Sequence, residues 1–231
     1  MDDELLRSEN EPLRYDQYCP ISRAVEILGE RWSLLILRDL LIGYSRFNEL
    51  ARAAPGLSRT LLSKRLRQFE RAGLVVHADD HYELTEAGRD LLPILWAYGE
   101  WGAKWAFGEP RGDELDPELL AWWMHSRLDT GLLHGERTVL QLRFTDEPRP
   151  FWLVVERSGT SVCTVDPRFE VDVVIRADLR TLYEIWLGRR PMAPALRDGS
   201  LRFEGPPDLV GRMERVLLLS ELAPIVAAAQ R

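Results

Sequence analysis

The chain of 231 residues is poor in cysteine and histidine, with two and four of these residues. The two cysteines, Cys19 and Cys163, cannot build the disulfide framework that stabilises many small secreted domains. The histidines do not stand at the spacings of zinc ligands. We therefore expect neither a disulfide-stabilised fold nor a metal site.

Long hydrophobic runs are also lacking. No apolar stretch approaches the ~20 residues that a helix needs to span a bilayer. The first residues, MDDELLRSENEP, have neither the basic start nor the apolar centre of a secretion signal. The sequence therefore predicts a cytoplasmic protein that does not contact a membrane.

Motifs of catalysis are missing as well. The sequence has no glycine-rich phosphate-binding loop, no dinucleotide fingerprint and no serine nucleophile elbow. Its 37 acidic residues show no spacing that marks an acid–base pair. We expect a protein that is not an enzyme and that uses no cofactor.

Positive charge is scarce overall but concentrated in one segment. The formal net charge is −7, yet the segment 44–77 holds seven basic and two acidic residues, a net charge of +5. An acidic protein can bind DNA through one basic segment of this kind. A solvated helix face has the same composition, so charge alone leaves both interpretations open.

The first half of the chain has helical patterns. Periodicity and capping residues predict helices at 20–28, 32–41, 47–53 and 59–72, then a hairpin of 74–76 and 82–84. A long helix follows from Thr85 to Phe107, with a kink at Pro93. Helix, turn, helix and hairpin in this order predict a mainly α winged helix-turn-helix, whose second helix enters the DNA major groove.

The helix at 59–72 has one apolar and one cationic side. Arg59 and Arg67 have the fork geometry that bonds a guanine edge, and Lys64 suits a phosphate. Hydroxyl groups beside them suit phosphate oxygens or base edges. The candidate DNA-binding residues are Arg46, Ser58, Arg59, Thr60, Ser63, Lys64 and Arg67.

Several motifs in this half match a known family. They are CP at 19–20, LGERWSLLILRDLL, RFNEL, PGLS, LSKRLRQFERAGLV and LTEAGRDLLPIL. The stretch 18–105 resembles the HxlR-type family of winged helix-turn-helix regulators. The resemblance implies a homodimer formed through terminal helices, binding to a palindromic operator on double-stranded DNA, and usually repression.

Two features are compared with the pattern of this family. Its members have a longer wing rich in proline and basic residues, whereas here the wing shrinks to 77–81 with an acidic tip, which favours a larger role for the helix. Cys19 matches the early cysteine that senses oxidants in some members, and a helix start can lower the pKa of a thiol. The alternative is a small, packed, inert residue.

Aromatic side chains recur in the long helix. Trp96, Tyr98, Trp101 and Trp105 stand there at close spacing. Large aromatic groups are enriched in helical dimer interfaces. We interpret them as interface and core, with a ligand cage as the alternative.

The second half of the chain has strand patterns. Strands are predicted at 139–144, 151–155, 162–165, 171–175 and 201–203, and helices at 118–128, 178–186, 192–197 and 207–218. This order predicts an α+β sandwich of antiparallel strands with helices on one face. The motifs RFTD, ADLRTLYEIWLGRRP and ALRDGSLRFEGPPDLVGRM resemble the sterol-carrier-protein-like fold. That resemblance implies an apolar tunnel for lipids or other hydrophobic molecules.

These patterns combine into one functional hypothesis. The predicted parts are an arm at 1–17, a winged helix-turn-helix at 18–108, a helical linker at 109–136 and a sterol-carrier-like domain at 137–231. The candidate pocket residues, each of which could equally be core, are Phe144, Trp152, Tyr183, Trp186, Leu187 and Phe203. We expect a homodimeric repressor that responds to an apolar small molecule. The alternative is a carrier or storage protein that uses its first domain for assembly.

Overall fold

The structure, a computed structural model, describes residues 14–133 and 135–230. The chain divides into two compact units between Leu95 and Trp96. Most of the predicted arm at 1–17 lies outside the described residues, as does His134. The domain bounds given above stay a prediction.

The first unit has the predicted order of a winged helix-turn-helix. Its elements are α1 (Pro20–Leu28), α2 (Ser33–Leu41), α3 (Phe47–Ala53), α4 (Arg59–Arg71), β1 (Val75–Ala78), β2 (His81–Leu84) and α5 (Glu86–Arg89). The strands β1 and β2 pair antiparallel as the wing. Leu37, Leu62 and Leu66 are fully buried in the core that these helices share. The fold class predicted for this half is confirmed.

The long helix predicted from Thr85 to Phe107 is wrong in its extent. The structure breaks it after α5 and begins a new helix, α6 (Leu92–Trp105). Pro93 therefore lies in the first turn of α6 and does not kink a continuous helix. A proline is tolerated in a first turn because its missing N–H has no partner to lose there.

The second unit holds the end of α6, then α7 (Pro117–His125), β3 (Arg137–Phe144), β4 (Phe151–Glu156), β5 (Gly159–Cys163), β6 (Val173–Ala177), α8 (Leu179–Trp186), α9 (Met192–Asp198), β7 (Leu201–Glu204), α10 (Pro207–Val210), α11 (Met213–Val216) and α12 (Ala223–Ala229). The strands form one sheet in the order β5-β4-β3-β6-β7. Helices and a mixed sheet are thus present.

The expectation of antiparallel strands is wrong for the central pair of this sheet. β3 and β6 run parallel, with Leu140 opposite Val173, while the other neighbours are antiparallel. The chain leaves β5 at one edge and returns through residues 164–172 to the free edge of β3. This return places β6 in the same direction as β3.

The helix predicted at 207–218 is also wrong. Gly211 and Arg212 separate α10 from α11, and α12 follows beyond the predicted end. The two short helices differ in burial, since none of the four residues of α10 is buried, whereas α11 packs into the main core. Met213 and Val216 of α11 are both fully buried in it.

The sheet has two different faces. Leu140, Leu142 and Ile175 point into the main core, which the helices cover. On the opposite face, Val139, Trp152 and Val154 form a smaller cluster. No helix within 14–133 and 135–230 is long and apolar enough to cross a membrane.

Candidate nucleic-acid interface

The helix α4 begins at a side-chain cap. Ser58 Oγ accepts a hydrogen bond of 3.2 Å from the backbone N–H of Leu61. Such a cap satisfies one of the backbone donors that a helix start leaves unpaired. Ser58 is exposed, so its hydroxyl lies at the surface with one acceptor position already in use.

The outward side of α4 carries most of the predicted DNA-binding residues. Arg59, Thr60 and Arg67 are exposed, and Ser63 and Lys64 are half-buried. At about 100° per residue, Thr60, Lys64 and Arg67 stand nearly opposite the buried Leu62 and Phe69. Arg71, one further turn along this side and also exposed, was not among the candidates.

Arg59 is held against α3. Its Nη2 donates a 2.7 Å hydrogen bond to Oδ1 of Asn48, and its guanidinium lies 4.8 Å from the centre of the Phe47 ring. These contacts restrict the side chain at the start of α4. A restricted arginine loses less conformational entropy when it binds a partner.

Arg65, by contrast, belongs to the core of the unit. Only 5% of this residue is exposed. Its Nε donates to the carbonyl of Arg31 at 3.1 Å, its Nη1 to Gln68 at 2.7 Å and its Nη2 to Glu30 at 2.7 Å. It therefore fastens α4 to the turn before α2, and composition alone could not distinguish it from the surface arginines.

The wing tip is acidic and engages Arg46. Arg46 Nε lies 3.2 Å from Oδ2 of Asp80, and both side chains are exposed. Hydrogen bonding to His81 and the charge of Arg46 lower the pKa of Asp80. Hydrogen bonds to Glu83 and Asp80 raise the pKa of His81. Arg46, a predicted DNA-binding residue, thus already has an anionic partner.

Cys19 stands immediately before α1, at the N-cap position. Hydrogen bonds from the backbone N–H groups of Ser22 and Ile21 lower the pKa of its thiol. The residue is half-buried, and both Cys19 and Cys163 are free thiols. A sensing role for Cys19 stays a prediction.

The six candidate pocket residues lie on two sides of the sheet. Phe144, Tyr183 and Trp186 are buried in the main core, where Leu187 and Phe203 pack against them. Trp152 belongs to the cluster on the opposite face. The Tyr183 hydroxyl donates to the carbonyl of Asp116 at 2.8 Å, and burial raises its pKa.

A cleft in the second unit involves other residues. It has a volume of about 710 Å³, and we call it the α6–α12 cleft. Its lining includes Trp96, Arg127, Arg190, Glu221, Pro224 and Ala227. Sequence reasoning missed it because these residues come from distant segments of the chain. Within the described ranges, no group of three or more His, Cys, Asp or Glu could hold a metal ion.

Comparisons with known proteins agree with this geometry. Residues 27–109 match the model of the HxlR-like helix-turn-helix family. The HTH-type transcriptional regulator Mb3122 of Mycobacterium bovis is 44% identical over 137 residues, which cover 56% of this chain and 85% of the relative. YvaP of Bacillus subtilis, another HTH-type transcriptional regulator, is 37% identical over 101 residues, or 40% of this chain and 94% of its own.

Among solved structures, PA1607 is 33% identical, with a TM-score of 0.38, and the match covers 42% of this chain and 72% of that chain. The family model covers α2 to α5 and the wing of the first unit, and the relatives are regulators matched over most of their own length. The chain therefore belongs to the HxlR-like helix-turn-helix family and is a DNA-binding transcriptional regulator.

Proposed function

We propose that the protein represses transcription as a homodimer that binds a palindromic operator through α4. The observation that carries the proposal is the outward side of α4, where Arg59, Thr60 and Arg67 are exposed. The opposite side of the same helix is fully buried at Leu62 and Leu66. A helix anchored by one face and cationic on the other suits insertion into a major groove.

The candidate residues divide by chemistry into two roles. Arg67 and Arg59 have the donor geometry for a guanine edge, and Arg59 is already oriented by Asn48. Thr60, Ser63 and Lys64 suit phosphate oxygens, which position a protein on DNA without reading its sequence. We assign the larger share of sequence discrimination to the two arginines.

An exposed aromatic face on α6 supports a dimer. Tyr98, Trp101 and Trp105 are 60%, 63% and 67% exposed, and their spacing of three and four residues places them on one side of the helix. Exposed aromatic groups of this size typically mark a protein interface. A symmetric dimer would present two α4 helices to half-sites about 34 Å apart.

The second unit supports the sensing half of the proposal. Its five-stranded mixed sheet, with helices over one face, is compatible with the sterol-carrier-protein-like fold. An apolar effector bound there would change repression only if it bound one state of the dimer more tightly than the other.

The test is selection of binding sites by the purified full-length protein from a library of random DNA duplexes. We expect an inverted repeat, bound with an affinity that falls steeply with salt. Changing Arg59 and Arg67 to Ala is expected to cost about 1–3 kcal/mol for each arginine that contacts a base. Arg149→Ala, which removes an exposed arginine from the second unit, is the matched control.

Two results would oppose the proposal. Equal affinity for selected and random duplexes would favour the carrier or storage alternative. A single, non-repeated site bound by a monomer would contradict the proposed homodimer. Repression is measured with a reporter gene placed downstream of the selected site. Activation of that gene would contradict the proposal that the protein is a repressor.

A further inference from the structure

The α6–α12 cleft has the size and the rigidity of a small-molecule site. Its volume of about 710 Å³ lies within the usual range for ligand pockets. Gly188, at φ +77°, packs so closely on α12 that a Cβ there would lie 2.4 Å from the carbonyl oxygen of Ala223. The Ser220 N–H also donates to the Trp186 carbonyl at 3.0 Å. The start of α12 is thus fixed to the end of α8.

Apolar groups form most of the lining, and three of them carry rings. Trp96 contributes the ring of an indole from α6, Pro191 and Pro224 contribute pyrrolidine rings, and Leu218 and Ala227 add aliphatic surface. Trp96 is half-buried, whereas Trp101 on the other side of α6 is exposed. Such surfaces suit the faces of a planar ligand.

Polar groups are few, and one of them has unused donors. Nε of Arg127 donates a hydrogen bond to the Leu219 carbonyl at 3.1 Å, and its Nη1 donates to Glu221 at 3.0 Å. Its Nη2 has no partner among the residues that the structure describes. The nitrogens Nη1 and Nη2 of Arg190 are already bonded to Thr181 and to Asp198 and Ser200.

We propose that the α6–α12 cleft binds a small, planar, apolar molecule that carries one anionic group. The ring system lies against Trp96, and the anionic group accepts hydrogen bonds from Nη2 of Arg127. The donor that remains on Arg127 belongs to a positively charged group, which favours an anion over a cation. This inference rests on the sensing half of the proposed function and places the effector outside the interior pocket that the sterol-carrier resemblance implies.

The site also explains how an effector could influence the regulator. Trp96 and the exposed face of Tyr98, Trp101 and Trp105 belong to the same helix. Gly99, between them, lies against Leu222 of the segment that leads into α12. A ligand that contacts Trp96 would therefore bear directly on the helix proposed to form the dimer.

The experiment compares two fluorescent probes on the full-length protein without DNA. They are 8-anilinonaphthalene-1-sulfonate, an aromatic anion, and N-phenyl-1-naphthylamine, which has the same rings without the sulfonate. We expect the anion to bind about tenfold more tightly, as one charge-assisted hydrogen-bonded contact allows. Glu221→Gln, which releases Arg127 from its partner, should tighten the anion only.

Two variants and one control locate the probe. Trp96→Ala and Ala227→Phe should each weaken anilinonaphthalene sulfonate by about tenfold or more, the first by removing a wall and the second by filling the half-buried space beside it. Phe169→Ala removes an exposed aromatic side chain of the second unit that does not line the cleft, and it should leave binding unchanged. Retained thermal unfolding midpoints would show that the variants are folded.

Probe binding that Phe169→Ala abolishes and Trp96→Ala leaves intact would overturn the site, as would equal affinity for the two probes. DNA binding by the same variants is measured separately against the selected duplex. Loss of probe binding with intact DNA binding is expected for Trp96→Ala. Failure of the wild-type protein to bind any selected duplex would instead count against the proposed regulator, whatever the probes show.

Discussion

The two sides of α4 give the same residue type opposite roles. Arg65, on the inward side, is 5% exposed and bonded to Glu30, Gln68 and the Arg31 carbonyl. Arg67, two residues later, is exposed on the outward side. The basic charge of the segment 44–77 is therefore partly a structural feature, and only burial separates the arginines that hold the fold from those available to DNA.

The largest expected effect is on the inward side. Arg65→Ala should lower the free energy of unfolding by about 3–5 kcal/mol, because it leaves Glu30 without its buried partner. Arg67→Ala should change it by less than about 0.5 kcal/mol, as for ordinary surface positions. Urea denaturation followed by circular dichroism measures both.

Equal stability losses in the two variants would contradict this division of roles. Arg65→Lys is a useful third variant, since it keeps the charge but carries all its donors on one nitrogen, which cannot occupy the positions of Nε, Nη1 and Nη2 together. Its stability should lie between that of the wild type and that of Arg65→Ala.

A second buried charge extends the comparison to α2. Asp39 is buried, its Oδ1 accepts from Nε and Nη2 of Arg38 at 2.9 and 2.7 Å, and its Oδ2 has no partner in the described part of the chain. Burial raises the pKa of Asp39 from 3.8 to about 6, against the opposing charge of Arg38. The folded state therefore keeps a proton that the unfolded chain has lost between these pH values.

The free energy of unfolding should accordingly fall as pH rises from about 4 to about 6, by about 3 kcal/mol for two pH units. Asp39→Asn cannot ionise and should lack this contribution. Urea denaturation between pH 4 and pH 7.5 compares the two proteins. Parallel stability curves across that range would show that Asp39 titrates normally.

Features that depend on local patterns could be predicted from the sequence, whereas features that depend on tertiary packing could not. The helices of the first unit and the wing follow from local periodicity and caps such as Ser58, whose interactions span only a few residues. The parallel pairing of β3 and β6 joins Leu140 to Val173, a contact that no local pattern encodes. The α6–α12 cleft likewise needs Trp96, Arg127 and Glu221 to meet, so its existence depends on tertiary packing.

The smallest expected effect concerns the outward side and the wing. Arg46 is paired with Asp80 on the surface, 3.2 Å apart, so the carboxylate competes with DNA phosphates for the arginine. Asp80→Asn should raise DNA affinity by about twofold to fivefold, because exposed ion pairs are weak and a phosphate can replace the carboxylate. Fluorescence anisotropy with a selected duplex at low salt measures the change.

The double variant Arg46→Ala with Asp80→Asn tests whether Arg46 mediates the expected gain in DNA affinity. If Arg46 contacts a phosphate once it is released, Arg46→Ala should weaken binding and Asp80→Asn should add little in its background, since the arginine that it frees is gone. If Asp80→Asn strengthens binding equally with and without Arg46, the acidic tip acts by general repulsion of the DNA backbone. In that case Asp80 does not limit Arg46, and the loss of affinity in Arg46→Ala alone measures whether Arg46 contacts the DNA.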